Sequence, residues 1–173
     1  FGELWGIASR TDYDLTQHQK VSGVSQAYLD PETNEKYIPY VIEPSVGVDR
    51  MFLTVLCDAY DEETLDNNET REVLHLHPYL APYKVAVLPL AKKYHSEKAH
   101  EVWKSLASKF SCSYDEAGSI GKWYRRCDAI GTPFAITIDD ETINNNTVTV
   151  RDRDTMEQVV VKLDELEDYI KER

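Results

Sequence analysis

Short apolar runs alternate with helical periodicity over the second half of the chain, and this alternation constrains the fold more than any other feature. Lys84 to Leu88 predicts a buried strand, and the apolar residues after it recur at i, i+3, i+4 and i+7, the spacing of one helix face. The full prediction comprises strands Lys84 to Leu88, Cys112 to Tyr114, Phe134 to Ile138 and Thr147 to Arg151, with helices from Ser96 to Phe110, from Ile120 to Ile130 and after Asp154. This β-α-β-α-β-β-α order indicates an α/β unit, a mixed sheet covered by helices.

Capping chemistry sets three of the predicted helix boundaries. Ser96 offers a hydroxyl at the start of the first helix, and Gly131 is placed to end the second. Asp154 and Glu157 have the spacing of a capping box before the last helix. That helix is expected to bury one apolar stripe, made of Met156, Val159, Val160, Leu163, Leu166 and Ile170.

The first half predicts strands, one helix and a linker, which makes the whole chain α+β. A strand is expected over Leu4 to Ala8, and Ala27 to Leu29 is expected to pair with Tyr37 to Ile42 around the turn residues DPETNE. Val48 to Tyr60 predicts a helix with one apolar face, formed by Phe52, Val55, Leu56 and Ala59. The acidic, aperiodic stretch Asp58 to Thr70 is expected to be a linker.

Composition excludes some partners and favours one compartment. The chain has 19 Lys and Arg against 31 Asp and Glu, and the net charge of -12 repels nucleic acid and anionic membranes unless a local basic patch exists. The apolar runs are far shorter than the ~20 residues of a membrane span, so no membrane is expected. Three cysteines without C-x-x-C spacing favour a reducing cytoplasm. Because the chain starts at Phe1 in mid-pattern, we expect a piece of a longer protein.

The stretch IEPSVGVDR joins a strand to the next helix and concentrates polar chemistry. A helix N-terminus favours anions, Gly47 lets the backbone approach a ligand, and Arg50 supplies a planar fork for phosphate oxygens. Glu43 suits a cation such as an ammonium group, and Ser45 adds a hydroxyl beside it. The set fits an amino group next to a triphosphate. On spacing alone, a plain strand–turn–helix with a surface pair of Asp49 and Arg50 is the favoured interpretation.

A resemblance to a known family favours the ligand-binding interpretation instead. PYVIEPSVGVDR resembles the third signature motif of class II aminoacyl-tRNA synthetases, specifically of the glycyl-tRNA synthetase family, and GELWGIASRTDYDL resembles the strand and loop before it. APYKVAVLPL, GSIGKWYRRCDAIGTPFAITID and TVTVRDRDT resemble that family's anticodon-binding domain. The resemblance runs in order over essentially the whole chain. It implies that residues 1–70 are the end of an antiparallel catalytic domain, with the motif 3 helix and a linker, and that residues 80–173 are an anticodon-binding domain.

The resemblance also implies a homodimeric ligase that converts glycine and ATP to glycyl-adenylate and then passes glycine to its tRNA. It gives catalytic roles to Arg50, on the γ-phosphate of ATP, and to Glu3, which would also hold Mg²⁺. The implied ATP-binding residues are Glu3, Leu4, Gly47, Val48, Asp49 and Arg50. The implied glycine pocket is Glu43, Pro44, Ser45, Val46 and Gly47. The family's first two motifs would lie upstream, so this chain alone is expected to be inactive.

The helix predicted from Ile120 to Ile130 mixes cations with two aromatic side chains, Trp123 and Tyr124. Cations contact phosphates and aromatic rings stack on bases, which is typical of RNA-binding surfaces. On spacing alone an ordinary solvated face is favoured, and with the resemblance RNA contact is favoured. The implied tRNA-binding residues are Lys122, Arg125, Arg126, Arg151 and Arg153.

Three alternatives were weighed beside this interpretation. His75 and His77 suggest a metal, but no third ligand is spaced near them, so a solvated or core-edge pair is expected. Cys127 is expected to be a structural thiol. The competing function is a non-catalytic synthetase-like module that binds RNA or a protein partner. Such a module would be expected to lose the substrate carboxylate or the ATP-gripping arginine, whereas Glu43 and Arg50 both remain.

Overall fold

The computed structural model describes residues 2–173, and Phe1 lies outside the described residues. Packing divides the chain into two compact units, Phe1–Thr54 and Val55–Arg173. The division falls inside a helix, Val48–Ala59, and not in the expected linker. The domain assignment made from the sequence, residues 1–70 and 80–173, stays a prediction that folding experiments can address.

The first unit is built on two small antiparallel pairs of strands. Its elements are β1 (Trp5–Thr11), α1 (Tyr13–Ser22), β2 (Tyr28–Leu29), β3 (Lys36–Tyr37), β4 (Val41–Val46) and the start of α2 (Val48–Ala59). β1 pairs with β4, and β2 pairs with β3 in the predicted hairpin. That hairpin ends earlier than expected, because the predicted strand Tyr37 to Ile42 is interrupted before Val41. Pro39 lies in the interruption and has no N–H to continue a strand ladder.

Two features of the first unit differ from the sequence prediction. α1 was missed because it has no apolar stripe, and none of its residues is buried. Gly23 ends it with φ at +70°, a left-handed conformation that glycine adopts without strain. Pro44, expected after the end of a strand, lies within β4 opposite Ile7. In the described part of the chain β4 pairs with β1 alone, and an edge strand tolerates proline.

The second unit is a mixed five-stranded sheet with helices and a separate hairpin. Its elements are β5 (Tyr60–Thr64), β6 (Thr70–Leu74), β7 (Val85–Pro89), α3 (Lys92–Ala107), β8 (Cys112–Tyr114), α4 (Ile120–Ala129), β9 (Phe134–Ile138), α5 (Asp140–Asn145), β10 (Thr147–Asp152), β11 (Gln158–Lys162) and α6 (Leu166–Lys171). The strand order is β11-β10-β9-β7-β8. β7 runs parallel to β8 and β9, and β10 runs antiparallel to β9 and β11. The predicted α/β unit with a mixed sheet is confirmed.

Strand β7 is buried on both faces, which explains its unbroken apolar sequence. Val85 and Val87 point into one core cluster with Ala99, Val102 and Leu106 of α3 and with Leu166 and Ile170 of α6. Ala86 and Leu88 point into a second cluster with Trp123 and Cys127 of α4. Helices therefore cover both faces of the sheet, as the alternating sequence predicted. No helix within residues 2–173 has the length and apolar character needed to cross a bilayer.

The acidic stretch expected to be a linker is instead a β-hairpin, so that prediction was wrong. β5 and β6 pair from Tyr60 opposite Leu74 to Thr64 opposite Thr70. Most residues of β5 are charged, so its sequence lacks the apolar alternation that indicates a strand. Its stability comes from β6, where Arg71 and Val73 are buried.

The helix predicted after Asp154 is also wrong. Residues 158–162 form β11, with Val161 opposite Val148 of β10, and only α6 remains helical. Asp154 and Glu157 do not form a capping box. They lie in the turn between β10 and β11, where the Asp152 carboxylate accepts bonds from two backbone N–H groups. Three consecutive valines favour a strand, and this preference outweighs the helical spacing of the neighbouring apolar residues.

Two other helix boundaries differ from the prediction. α3 begins at Lys92, and the Ser96 hydroxyl lies inside it, donating to the Lys92 carbonyl at 2.7 Å. Ser96 therefore does not cap the helix. α5, missed in the loop DDETINNN, begins with a capping box between Asp139 and Thr142. α4 and its end before Gly131 agree with the prediction.

Candidate functional site

A cavity of about 390 Å³ in the first unit gathers all six residues that the resemblance implies for ATP. It lies where the start of the chain passes the N-terminus of α2. Seven residues line it: Glu3, Leu4, Ser45, Gly47, Val48, Asp49 and Arg50. Every residue implied to bind ATP is among them, and so are Ser45 and Gly47 from the implied glycine pocket.

Arg50 stands in the first turn of α2, where the Met51 N–H donates to the Gly47 carbonyl at 2.9 Å. One guanidinium nitrogen of Arg50, Nη1, donates to the Glu3 main-chain carbonyl. A carbonyl oxygen does not neutralise the guanidinium charge, so the cation still faces the cavity. The free N–H groups of the first helical turn add positive potential beside it. This corner of the cavity is suited to an anion.

Glu3 supplies a carboxylate to the lining of the same cavity. A Cβ atom at Gly6 would lie 3.4 Å from Glu3 Oε1, so the carboxylate lies over the bare backbone of that glycine. Gly6 is opposite Ser45 in the β1–β4 ladder, which brings the Ser45 side of the strand near Glu3. Within residues 2–173 the Glu3 carboxylate takes part in no ion pair, and it is exposed to solvent.

Not all of the implied glycine residues reach this cavity. Glu43 forms an ion pair with Arg10 Nη1 at 2.9 Å, so the cation that it contacts in this chain is an arginine. Side chains alternate along β4, which directs Pro44 and Val46 to the face opposite Ser45. Gly47 does not have a positive φ, and a Cβ there would make ordinary contacts at 3.8–3.9 Å with Arg50. The fold would therefore accept a side chain at Gly47, and the absence of one matters only for the space that it leaves to a ligand.

A second candidate surface lies on α4 in the other unit. A shallow groove is lined by Glu69, Ser119, Gly121, Lys122, Arg125 and Arg126, which brings together three of the five cations assigned to tRNA. Arg125 donates to the Thr70 carbonyl at 2.8 Å and to Glu69 at 3.0 Å. Arg126 pairs with Asp115 and donates to the Ala117 carbonyl at 2.9 Å. Lys122 has no ion-pair partner in the described part of the chain.

The aromatic residues of α4 do not serve as stacking platforms in this structure. Trp123 is buried, and its Nε1 donates to the Ala117 carbonyl at 2.8 Å. The Tyr124 hydroxyl bonds Thr137 Oγ1 at 2.8 Å, and its ring packs 4.8 Å from the Arg151 guanidinium carbon. The sequence could not separate these aromatic residues from exposed ones, because Lys122 and Arg125 flank them directly.

Arg151 and Arg153 are also buried, with 6% and 3% of their surface exposed. Arg151 makes two bonds to the Asp128 carboxylate, at 2.8 and 3.0 Å. Arg153 bonds Asp154 through Nε and Nη2, at 2.7 and 2.8 Å, and the Gly131 carbonyl through Nη1 at 2.8 Å. Their guanidinium groups are occupied inside the protein. We therefore leave these two arginines out of the candidate RNA surface.

Asp128 is the centre of a buried charge network that the sequence did not reveal. Besides Arg151, its carboxylate lies 3.3 Å from Nη1 of Arg71, and the same nitrogen donates to the Arg153 carbonyl at 2.7 Å. Arg71 also binds Glu63 within the β5–β6 hairpin. The network ties α4, β6 and β10 together through paired charges, the arrangement in which buried charges are tolerated.

Cys127 is buried and Cys112 is half-buried, and both behave as structural thiols. Burial raises the pKa of Cys127 to about 12 and that of Cys112 to about 11, so neither forms a nucleophilic thiolate near neutral pH. The expectation for Cys127 is confirmed.

Comparison with known protein families gives a match within the second unit. Residues 84–173 match a family model described as "Anticodon binding domain". The solved RNA-binding domain of threonyl-tRNA synthetase from Cryptosporidium parvum Iowa II has the same fold. It matches with a TM-score of 0.63 and 23% identity, over 84% of this chain and 34% of that one.

Relatives with known names match the whole chain. "Glycine--tRNA ligase" from Clostridium kluyveri is 63% identical over all 173 residues, and that from Geobacillus kaustophilus is 59% identical over the same length. The chain spans 37% of the length of these relatives. The family model covers more than half of the chain, and we conclude that the chain belongs to the anticodon-binding domain family, with the glycine–tRNA ligases among its relatives.

Proposed function

We propose that this chain is part of a glycine–tRNA ligase, an enzyme that activates glycine with ATP and transfers it to its tRNA. The observation that carries the proposal is the identity of 57–63% with proteins of that name, which extends over both units of the chain. If only one unit had kept the function of this family, the other unit would be expected to differ widely from these relatives. The cavity at the start of α2 and the groove on α4 supply sites of the required charge.

In the proposed reaction Arg50 binds the triphosphate of ATP. Arg50 and the first residues of α2 line the same cavity, so the planar guanidinium and the helix N-terminus would both stabilise negative charge there. Leu4, Gly47, Val48 and Asp49 form the surrounding wall. Adenylate formation needs positioning and charge stabilisation of the phosphates, and no side-chain nucleophile is required.

Glu3 is the proposed ligand for Mg²⁺. Its exposed carboxylate lines the cavity together with Arg50 and forms no ion pair among residues 2–173. A hard oxygen ligand beside substrate phosphates suits this ion. When bound, Mg²⁺ would neutralise part of the phosphate charge. Glu3 itself would hold the ion through its carboxylate.

The glycine site is proposed on β4 beside the ATP cavity, from Glu43 to Gly47. Ser45 is the member of this set that lines the cavity together with Gly47. Selecting glycine requires the exclusion of larger side chains, because a missing side chain gives a pocket little to recognise. Glu43 would accept the amino group only after exchanging it for Arg10, its present partner.

The proposed tRNA surface comprises Lys122, Arg125 and Arg126 on α4. Two of these cations are paired with carboxylates, so their attraction for phosphate is reduced, and Lys122 carries the least compensated charge. The full enzyme is proposed to be a homodimer and to act in the cytoplasm. Three unpaired cysteines fit that reducing compartment.

The test uses the full-length protein to which this chain belongs. Exchange of pyrophosphate into ATP, measured with glycine and with alanine, separates an activating enzyme from a binding module. We expect exchange with glycine and at most background exchange with alanine. A folded full-length protein that binds tRNA but supports no glycine-dependent exchange would contradict the proposal and favour the non-catalytic alternative.

A further inference from the structure

Three possible metal ligands converge on one face of the β5–β6 hairpin. Asp61 and Glu63 are two residues apart on β5, so their side chains share a face. Their partners across the ladder, Val73 and Arg71, share that face on β6, and His75 follows Val73 by two residues. The antiparallel register therefore brings the imidazole beside the two carboxylates. One ligand atom from each of the three lies within 4.8 Å of the other two.

The histidine is held by a carboxylate from outside this trio. Asp154 Oδ1 lies 2.6 Å from Nδ1 of His75, close enough to fix the proton on that nitrogen. In a neutral imidazole the other nitrogen, Nε2, then presents a lone pair. A carboxylate that orients a histidine in this way is a recurrent feature of metal sites.

The glutamate is oriented in the same manner. Arg71 contacts Glu63 Oε2 through Nε at 2.8 Å and through Nη2 at 2.6 Å. This leaves the other oxygen, Oε1, directed at His75 Nε2, 3.1 Å away. Two potential ligand atoms, His75 Nε2 and Glu63 Oε1, therefore face each other directly. Asp61 adds a further negative charge beside the pair.

We propose that Asp61, Glu63 and His75 bind a zinc ion, with Asp154 and Arg71 orienting the ligands. One imidazole nitrogen and two carboxylate oxygens are accepted zinc ligands, and water can complete a tetrahedral shell. His75 and Glu63 are partly exposed, with 33% and 27% of their side chains accessible, so an ion can enter from solvent. The ion would clamp β5 to the end of β6. This inference is independent of the proposed ligase activity.

One alternative to a metal ion would give the same geometry: a doubly protonated His75 that donates one hydrogen bond to Glu63 and one to Asp154. The experiment therefore measures metal binding directly. The chain is first treated with a chelator that is then removed. Zn²⁺ binding is followed by calorimetry, and Co²⁺ is used as a spectroscopic substitute whose visible absorption reports a low-coordinate site.

We expect one Zn²⁺ per chain, and at least a tenfold weaker affinity in His75→Ala and in Asp61→Asn. Asp61 is exposed, so its variant tests the site even if the histidine variant unfolds. Asp154→Asn should weaken binding ten- to a hundredfold through the orientation of His75. His77→Ala is the matched control, because His77 is exposed and stacks on Tyr79 outside the trio. It should bind Zn²⁺ as the unaltered chain does.

Two results would overturn the zinc site. The first is the absence of stoichiometric Zn²⁺ binding by the unaltered chain, which would assign the geometry to a protonated His75. The second is binding that survives in Asp61→Asn and His75→Ala at unchanged affinity, which would place the metal elsewhere.

Discussion

The two units of this chain differ in what holds them together. None of residues 2–54 is buried, and Ile7, Val21 and Phe52 expose 72%, 89% and 66% of their surface. In the second unit the sheet has buried clusters on both faces and a buried charge network at one end. The first unit therefore presents chemistry on a scaffold without its own core, whereas the second has the features of an independent domain. The proposed binding site of the first unit and the stability of the second can therefore be tested separately.

The largest expected effect concerns independent folding. Residues 55–173, expressed alone, should melt cooperatively, because they contain every buried residue of the described chain. Residues 1–54 alone should show no cooperative transition by circular dichroism, because residues 2–54 include no buried apolar side chain.

The shorter segment 80–173 sharpens this comparison. It corresponds to the domain inferred from the sequence but lacks the β5–β6 hairpin and Arg71. We expect it to fold with a lower melting temperature than residues 55–173. Equal melting temperatures would show that the hairpin adds no stability, and a cooperative melt of residues 1–54 would remove the contrast between the units.

The second effect concerns the buried network. Asp128→Ala would leave Arg151 as a buried cation without its carboxylate and would remove one of the two carboxylates that contact Arg71, a loss of about 3–5 kcal/mol. Chemical denaturation of residues 55–173 measures it. Glu69→Ala is the control, since it removes the exposed partner of Arg125 and should cost about 0–1 kcal/mol. Similar losses in the two variants would mean that Asp128 is no more important than a surface charge.

The third effect concerns Gly131, which ends α4. It has φ at +78°, and a Cβ there would lie 2.8 Å from Leu76 Cδ1 and 3.0 Å from the Leu74 carbonyl oxygen. Gly131→Ala should therefore destabilise residues 55–173 by roughly 1–3 kcal/mol. Gly121→Ala, in the same helix with open space around it, should be neutral or stabilising. Equal denaturation midpoints for the two variants would contradict this account.

The smallest effect concerns the groove on α4. Lys122→Ala in the full-length protein should lower the slope of log affinity for tRNA against log salt by about 1, because one phosphate contact is lost. Lys104→Ala, an exposed lysine on α3, should leave the slope unchanged. If the two variants behave alike, Lys122 is only a solvated side chain.

The same contrast explains what the sequence could predict. Strands β7, β8, β9 and β10 follow from local patterns, because each is marked by apolar or β-branched residues between turns. The residues of the cavity at the start of α2 follow from the family resemblance of one contiguous motif and the start of the chain, because spacing alone favoured a plain strand–turn–helix. The fold brings these residues together. Their roles toward ATP stay predictions.

Other features depend on contacts between distant residues, and these were missed. Asp61 and Glu63 were read as linker charges, and they meet His75 only through the β5–β6 register. Arg151 and Arg153 were read as exposed cations, because nothing adjacent in the sequence identifies Asp128 as a buried partner. The buried charge network and the proposed zinc site both depend on such pairings, and no local period encodes them.

The most direct test of the account is the effect of Arg50→Ala on glycine-dependent ATP–pyrophosphate exchange by the full-length protein. A charge-assisted contact is worth ~1.5–3 kcal/mol, so exchange should fall roughly ten- to a hundredfold while tRNA affinity stays nearly unchanged. Arg50→Lys should restore only part of the rate, because lysine lacks the planar fork. Unchanged exchange, or intact exchange with lost tRNA binding, would contradict the proposal that the cavity at the start of α2 binds ATP.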